Sequence, residues 1–344
     1  MLQGTLVSRM TGSQAKRDIV VIGGSAGAVD ALGRLAGLLP AHLDGAVFVV
    51  VHVSALYRSR LPEIVSRRGP LPASHAKDGE RYRNGRIYIA PPDAHLLLED
   101  GRIRLSRGPR ENAVRPAIDP LFRSAASIYG PRVVGVVLSG TLDDGSLGLL
   151  DIKLHGGLTL VQDPDDAAYA DMPRNAIEVA KPHTVASIVE LAALIAEALL
   201  PDADVGEMEP ISAEDLAGLK GLDFPPGATS LTCPECGGVL YLEGPGSLKM
   251  TCQVGHSYAP DSLFDQQRAW VEQTLWAAHR SLREQATLAK HIADRYEGRG
   301  SRLTTRIFRR RHSEASEHAD ALRRLILDRG TTAEPATEEH EDSA

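Results

Sequence analysis

Three short segments offer a hydroxyl, an imidazole and a carboxylate where chemistry could be done. Gly23-Gly24-Ser25-Ala26-Gly27 follows the apolar run Ile19-Val20-Val21-Ile22 and precedes a helical pattern. This is G-x-S-x-G between strand and helix, where glycines permit a tight turn that lifts the hydroxyl clear of a sheet. The N–H groups and positive dipole end of the following helix would stabilise an oxyanion. The same residues also resemble a loose glycine-rich dinucleotide turn, and an ordinary βα turn with no chemistry is a third reading. A dinucleotide site wants Asp or Glu about 20 residues on, to bind ribose. The next apolar run, 46–51, ends instead in His52. An imidazole replaces that acceptor badly but serves as a general base for a neighbouring serine; taken alone, His52 is an ordinary structural histidine. A third run, Val133 to Leu138, leads into Ser139-Gly140-Thr141-Leu142-Asp143-Asp144-Gly145. One of the two aspartates could orient the imidazole, or either could cap the helix expected near Ser146. Ligands bind at the carboxyl ends of strands in open α/β sheets, so three such strand ends could meet.

A second constellation is Cys233-Pro234-Glu235-Cys236 with Cys252-Gln253-Val254-Gly255-His256, 15 residues apart. Four N/S ligands suit tetrahedral zinc in a closed structural site, and thiolates favour zinc over hard cations. The other reading is three reduced cysteines without metal. An isolated segment of roughly 30 residues has too little core to fold without a staple, which favours structural zinc. Three cysteines in one cluster argue against a disulfide framework.

The elements needed to position these groups follow from the apolar pattern. Strand-like runs at 19–22, 47–53, 87–89, 133–138 and 158–161 alternate with helical patterns at 27–39, 116–129, 145–155, 173–180 and 187–200. Short apolar strands between helices imply a doubly wound α/β fold, its mostly parallel sheet covered on both faces. Residues 95–106 read as a hairpin turning near Asp100-Gly101. The expected organisation is a disordered leader (1–17), a catalytic domain (18–200), a linker (201–230), a small zinc-ribbon-like module (231–259), a helical hairpin (260–330) and a disordered acidic tail (331–344). In the hairpin, Val271, Leu275, Ala278, Leu282, Ala286, Ala289 and Ile292 would face Ala315, Ala319, Leu322 and Ile326. Arg302, Arg306, Arg309, Arg310 and Arg311 read as a solvated basic face.

At 344 residues the chain suggests about two domains. A net charge of -7 gives no reason to expect a nucleic-acid partner. Residues 1–17 lack the apolar run of a signal peptide, and the apolar helical stretch from Ile188 to Leu200 is too short for a membrane span. The expected location is therefore cytoplasmic.

The segment 18–200 resembles the catalytic domain of the chemotaxis protein-glutamate methylesterases (CheB type). The resemblance rests on the glycine turn around Ser25, the strand-terminal His52 and the Gly140-to-Gly145 turn, in the order Ser, His, Asp. It extends to Arg115-Pro116 with Asp119-Pro120-Leu121-Phe122, and to Met172-Pro173-Arg174-Asn175-Ala176. It implies Ser25 as nucleophile, His52 as base and Asp144, directly before Gly145, as the third member. It also implies that the N–H groups of Ala26 and Thr141 line an oxyanion hole. The family commonly has threonine and methionine there, and the change bears on substrate fit rather than on a backbone N–H. Arg174 could hold a substrate carboxylate or main chain, or form a structural ion pair. His42, His75, His95, His155 and His183 read as structural or exposed. The implied reaction is hydrolysis of glutamate γ-methyl esters on a methylated chemoreceptor, in phosphorelay-linked signal transduction, with no cofactor for catalysis. The alternatives are a serine hydrolase acting on another ester or amide, and a catalytically idle signalling adaptor. Typical members carry a receiver domain ahead of the catalytic part. Only about 17 residues precede the first strand here, so control through such a domain is not expected. A sensor or regulator could dock on the C-terminal helices.

Overall fold

The computed structural model describes residues 16–52, 59–200, 228–242, 248–299 and 301–330. The leader up to residue 15, Val53, most of the expected linker and the acidic tail lie outside the described residues. The described residues up to Leu263 form one compact unit and those from Phe264 a second.

The centre of the first unit is a seven-stranded sheet. Its strands are β1 (Ile19–Gly24), β2 (Ala46–Val51), β3 (Ala73–His75), β4 (Ile87–Ile89), β7 (Val133–Val137), β8 (Leu158–Gln162) and β9 (Thr184–Ala186). β5 (His95–Glu99) and β6 (Arg102–Ser106) form the expected hairpin. The sheet order is β3-β4-β2-β1-β7-β8-β9, and every pairing is parallel. After β1 the chain builds outward through β2, then returns to β1's other side with β7. The switch point of the topology therefore lies at the carboxyl end of β1, where α/β sheets bind ligands.

All six residues of β1 and of β2 are buried, as continuous apolar runs in a parallel sheet require. Alternation divides them between two cores. Val20 and Ile22 face α1 (Ala28–Leu38), α2 (Leu61–Arg68) and α6 (Ile188–Ala198). Ile19 and Val21 face α3 (Ile118–Tyr129), α4 (Ser146–Leu154), α5 (Asp171–Ala180) and the hairpin. Ser187 and Glu190 form a capping box that starts α6. The short α2, β3 and β9 are additions to the expected elements; β3 and β9 have only three residues each, too few to show a period.

The Cys/His segment belongs to the same compact unit. Its strands β10 (Ala228–Thr232), β11 (Val239–Leu242), β12 (Met250–Cys252) and β13 (Ser257–Tyr258) form an antiparallel four-stranded sheet. Residues 110–112 pair along its edge: Glu111 bridges Ser257 in parallel, Asn112 N–H donates to the Ser257 carbonyl at 2.8 Å, and Lys249 lies 3.5 Å from Glu111.

Two long helices follow, α7 (Pro260–Glu297) and α8 (Arg302–Gly330), broken where Glu297-Gly298 interrupts the pattern. Within the second unit they pair antiparallel through a seam of small residues, Ala286, Ala289 and Ala293 with Ala315, Ala319 and Ile326. His312 Nδ1 meets the Ala286 carbonyl at 2.9 Å. Val271 and Ala278, expected on this face, are exposed, because two helices alone cover only a narrow stripe. Arg309 pairs with Glu297, Arg310 with Glu314, and Arg311 lies over Phe308, as a solvated face would. Among the described residues no helix is long and apolar enough to cross a membrane.

Candidate active site

Ser25 sits just past the end of β1. Its N–H donates to the Ser139 carbonyl at 3.0 Å, and its carbonyl accepts from Ala28 N–H at 3.1 Å as α1 begins. Gly27 turns the chain at φ 75, and a Cβ there would lie 2.7 Å from Ser139 Oγ. Only glycine fits such a corner. Ser139 fastens the corner further, donating its hydroxyl to the Ala26 carbonyl at 2.8 Å and accepting Tyr169 N–H at 3.0 Å.

His52 follows β2, registered beside Ser25 by its N–H bond to the Gly24 carbonyl. Its Nδ1 lies 3.1 Å from Ser25 Oγ and its Nε2 lies 2.7 Å from Asp144 Oδ2. With Asp144 charged, the ring proton belongs on Nε2, which leaves Nδ1 free to accept the serine proton. The ring is 17% exposed and the carboxylate 2%.

Asp144 is held by four donors. Oδ2 accepts from His52 and from Ile118 N–H at 2.7 Å; Oδ1 accepts from Asn112 Nδ2 at 2.9 Å and Asp119 N–H at 3.2 Å. Two of these are orphan N–H groups in the first turn of α3, where the helix dipole also favours negative charge. Burial by itself would raise this carboxyl, but the bond and charge of His52, the Ile118 N–H and the Asn112 amide together hold it below its ordinary value. Asp119 returns the exchange. From α3 it accepts Gly145 N–H at 3.0 Å and Gly148 N–H at 2.7 Å, capping α4. Burial and the neighbouring Asp144 charge push Asp119 well above its ordinary value. The cap of α4 is therefore Asp119, not Asp143 or Asp144.

Gly23 lets the first turn of α3 close on this pair. A Cβ there would lie 2.3 Å from Ile118 Cγ2, so Gly23→Ala must push back the turn that grips Asp144. We expect a loss of about 1–3 kcal/mol of stability together with lower turnover. Urea unfolding and an esterase assay on the same sample check both; wild-type values in each would contradict this packing.

Asp143 turns the other way. Its carboxylate accepts Asp261 N–H at 3.0 Å, Ser262 N–H at 3.2 Å and the Ser262 hydroxyl, capping the start of α7. Burial pushes its carboxyl from 3.8 up to about 6. Between those values the folded protein keeps a proton that the unfolded chain releases. Its contribution to stability is thus full below the lower value and is lost as pH rises through the upper one. Asn cannot titrate, so Asp143→Asn should gain on wild type by up to about 1.4 kcal/mol per pH unit across that window. Urea midpoints of both proteins through the window test this, and parallel curves would contradict it.

Among the described residues neither the Ala26 nor the Thr141 backbone N–H finds a protein acceptor. The Thr141 turn is clamped by Gly140 bonds to Tyr169 and Met172 and by Asn175 Nδ2 on the Leu142 carbonyl at 3.1 Å. Leu142 itself adopts φ 62, a strained conformation such as functional turns retain. Arg174 is exposed on the first turn of α5, and among the described residues its guanidinium makes no ion pair, so the structural ion pair finds no support. His95 is buried between the Pro109 carbonyl and Ala117 N–H; burial lowers its pKa, so it is a neutral brace.

This arrangement can be compared with known proteins. The CheB methylesterase family matches residues 20–195. The chain belongs to that family. A Leptospira interrogans protein provisionally named protein-glutamate methylesterase/protein-glutamine glutaminase is 37% identical over 178 residues, 52% of this chain and 92% of that protein. An Anaeromyxobacter dehalogenans protein-glutamate methylesterase/protein-glutamine glutaminase is 37% identical over 177 residues, 52% of each chain. The chain thus spans about half the length of that relative. The crystal structure of the Thermotoga maritima CheB methylesterase catalytic domain superposes with a TM-score of 0.51 at 30% identity, covering 53% of this chain and 98% of that one. The parallel sheet and flanking helices described above are the CheB catalytic fold.

A second cluster lies in the Cys/His sheet. The donor atoms of Cys233, Cys236, Cys252 and His256 all lie within 4.8 Å of one another and could hold a metal ion. Cys236 and Cys252 sulfurs are 3.6 Å apart, and His256 Nδ1 is 3.7 Å from Cys233 Sγ and 3.6 Å from Cys252 Sγ. A tetrahedral zinc spaces its sulfur and nitrogen ligands about 3.5–3.8 Å apart, so the donors fit. His256 Nε2 lies 3.3 Å from Glu235, the carboxylate partner that orients metal-binding imidazoles.

Asn112 and Asp119 both bond Asp144, and neither is among the residues the sequence singles out for the site. Asp119 was visible only as part of a family segment, and nothing local marks Asn112.

Proposed function

We propose that the chain is a serine carboxylic ester hydrolase that removes methyl groups from glutamate γ-methyl esters of a methylated chemoreceptor or receptor-like signalling protein. The observation that carries this reading is the unbroken line Ser25 Oγ, His52, Asp144 at three neighbouring strand ends, beside two N–H groups that have no acceptor among the described residues. Ser25 attacks the ester carbonyl while His52 Nδ1 takes its proton. The N–H groups of Ala26 and Thr141 receive the oxyanion. Collapse expels methanol, which takes the proton back from His52, and leaves a glutamyl ester on Ser25. Water then gives a proton to His52 and attacks, and Ser25 leaves with that proton. Asp144 fixes the ring tautomer and stabilises the imidazolium. Arg174, exposed and without an ion pair among the described residues, supports a role in holding the receptor chain. Methanol release from a methylated receptor by the full chain tests the reading; hydrolysis of simple esters without any methanol would move the substrate elsewhere. The relatives' names also carry protein-glutamine glutaminase, so ammonia is measured in the same assay.

Zinc held by Cys233, Cys236, Cys252 and His256 is part of the proposal, as a closed structural site. Three thiols in one cluster belong in a reducing compartment, which supports the cytoplasm. Phe264, Trp270 and Trp276 stand exposed on α7, in keeping with a regulator docking on the C-terminal helices.

A further inference from the structure

Asn112 joins two sites that the chain's chemistry keeps apart. It is 6% exposed. Its amide nitrogen donates to Asp144 Oδ1 at 2.9 Å and to Asp119 Oδ2 at 3.1 Å, while its amide oxygen accepts Ala259 N–H at 2.8 Å. Both amide N–H groups and one of the oxygen's two lone pairs are therefore assigned, and the Ala259 N–H fixes which way round the amide sits. Ala259 follows β13, and β13 follows His256 directly. The backbone of Asn112 is bound by the same strand, through its N–H on the Ser257 carbonyl at 2.8 Å. Asn112 and Ala113 take φ 52 and 61. Such left-handed geometry costs roughly 1–2 kcal/mol for a residue with a side chain, and surrounding contacts must impose it. Those contacts come from the Cys/His sheet: Ala113 packs on its core of Cys233, Leu240, Met250, Cys252 and Tyr258. The path from metal ligand to triad carboxylate is thus His256, Ser257–Ala259, Asn112, Asp144.

We propose that Asn112 is a positioning residue for Asp144, and that the metal-loaded Cys/His module is what holds it there. Loss of the metal would then slow turnover without removing any group that touches the ester. The inference rests on two readings above, the Ser25–His52–Asp144 triad and metal binding by the four ligands. Without metal, His256 keeps only the Glu235 contact and the single turn bond from Cys252 N–H to its carbonyl at 2.9 Å, and the β12–β13 turn is free to relax. Ala259 N–H then leaves Asn112, and the amide is free to rotate away from the carboxylate. Small displacements of an orienting group cost up to roughly 100-fold in rate.

The titratable groups facing Asp144 are His52 beyond β2, Asp119 on α3, His95 on β5 and its neighbour Asp143. Withdrawing one donor makes the Asp144 carboxylate more basic and strengthens its hold on the His52 proton. The acid limb of the rate profile, where His52 must be neutral, should then move to higher pH. A merely structural role would lower the amount of active protein and leave that limb in place.

The test uses the full chain, an activated acetate ester and zinc as the metal. Bound metal is counted by mass spectrometry, then stripped with a chelator and restored. Asn112→Gly removes the amide while keeping the left-handed backbone, so it should fold; Asn112→Asp, which retains the acceptor for Ala259, is the second variant. We expect one zinc per chain. Stripping should cut kcat roughly 10- to 100-fold with little change in KM, move the acid limb upward, and be reversed by zinc. Asn112→Gly should show the same loss with zinc bound, and stripping it should cost little more, since coupled effects do not add. Asn112→Asp should lose activity too, because it turns a donor into a third carboxylate. A chain that purifies without metal and binds none contradicts the metal reading itself, and an untouched protein without esterase activity contradicts the triad. Full occupancy with kcat unchanged on stripping overturns the coupling alone, as does an equal loss on stripping wild type and Asn112→Gly.

Discussion

Ser25→Ala is expected to lower ester hydrolysis by roughly 10⁵–10⁶-fold while unfolding at the same urea concentration as wild type. The two halves of this result have separate causes. The Ser25 hydroxyl is only half-buried, and its bond to His52 Nδ1 is the one it loses, so water can take the place of Oγ. Substitutions of this kind shift stability by about 0.5 kcal/mol or less. The turn itself is held by the Ser25 and Ala28 backbone and by Ser139, none of which changes. What remains after removal is the pair of N–H groups and the binding surface, which sustain a residual acceleration of roughly 10³–10⁴ over water. Steady-state turnover on a methyl ester and a urea curve on the same preparation check the prediction. Substantial activity would remove Ser25 from the mechanism, and a collapsed urea midpoint would show the turn to be less self-sufficient than its bonds imply.

Asp144→Asn should cost about 10⁴-fold in kcat, and here stability should fall as well. Four donors converge on two carboxylate oxygens, and an amide offers only one oxygen. If its NH₂ takes the place of Oδ2, it confronts the Ile118 N–H and forces His52 to accept through Nε2. The ring proton then sits on Nδ1, the tautomer that cannot take a proton from Ser25. If the NH₂ takes the place of Oδ1, it confronts the Asn112 amide and the Asp119 N–H, and two buried donors lose their acceptor. Each arrangement leaves buried donors unmatched at about 1–3 kcal/mol. Asp144→Asn should therefore unfold at lower urea than Ser25→Ala, although it replaces one side chain by a near-isostere. Equal urea midpoints for the two variants would contradict the donor count around Asp144.

The sheet and the three strand ends were legible because their physics is local. A parallel strand buried on both faces must be apolar throughout, and a strand-to-helix corner with no room for Cβ must be glycine. Those constraints mark Ile19 to Gly24, Ala46 to Val51 and Val133 to Gly140 without reference to the rest of the chain. The choice between Asp143 and Asp144 was not legible from spacing, since either could orient an imidazole or cap a helix. The structure assigns them opposite directions, Asp144 to His52 and α3 and Asp143 to α7. The cap of α4 was not legible for the same reason, because Asp119 reaches it from a different helix. Asn112 was invisible: it lies in an irregular stretch, and its three side-chain partners come from α3, the Asp144 turn and Ala259 just past β13. In the helical pair the 3.6-residue pattern showed which residues could be buried. Of that pattern the structure buries Ala286, Ala289, Ala315, Ala319 and Ile326 and leaves Val271 and Ala278 exposed.

The most direct test is the reaction of the full chain with a fluorophosphonate, followed by mass spectrometry of its peptides. A serine whose hydroxyl is activated by an adjacent imidazole, next to N–H groups that can hold a phosphoryl oxygen, should react alone among the serines of the chain. The expected product is a single adduct on Ser25, formed at a rate that falls by orders of magnitude in His52→Ala. An adduct on another serine, or Ser25 labelling at an undiminished rate without His52, would contradict the hydroxyl–imidazole–carboxylate line on which the proposed activity depends.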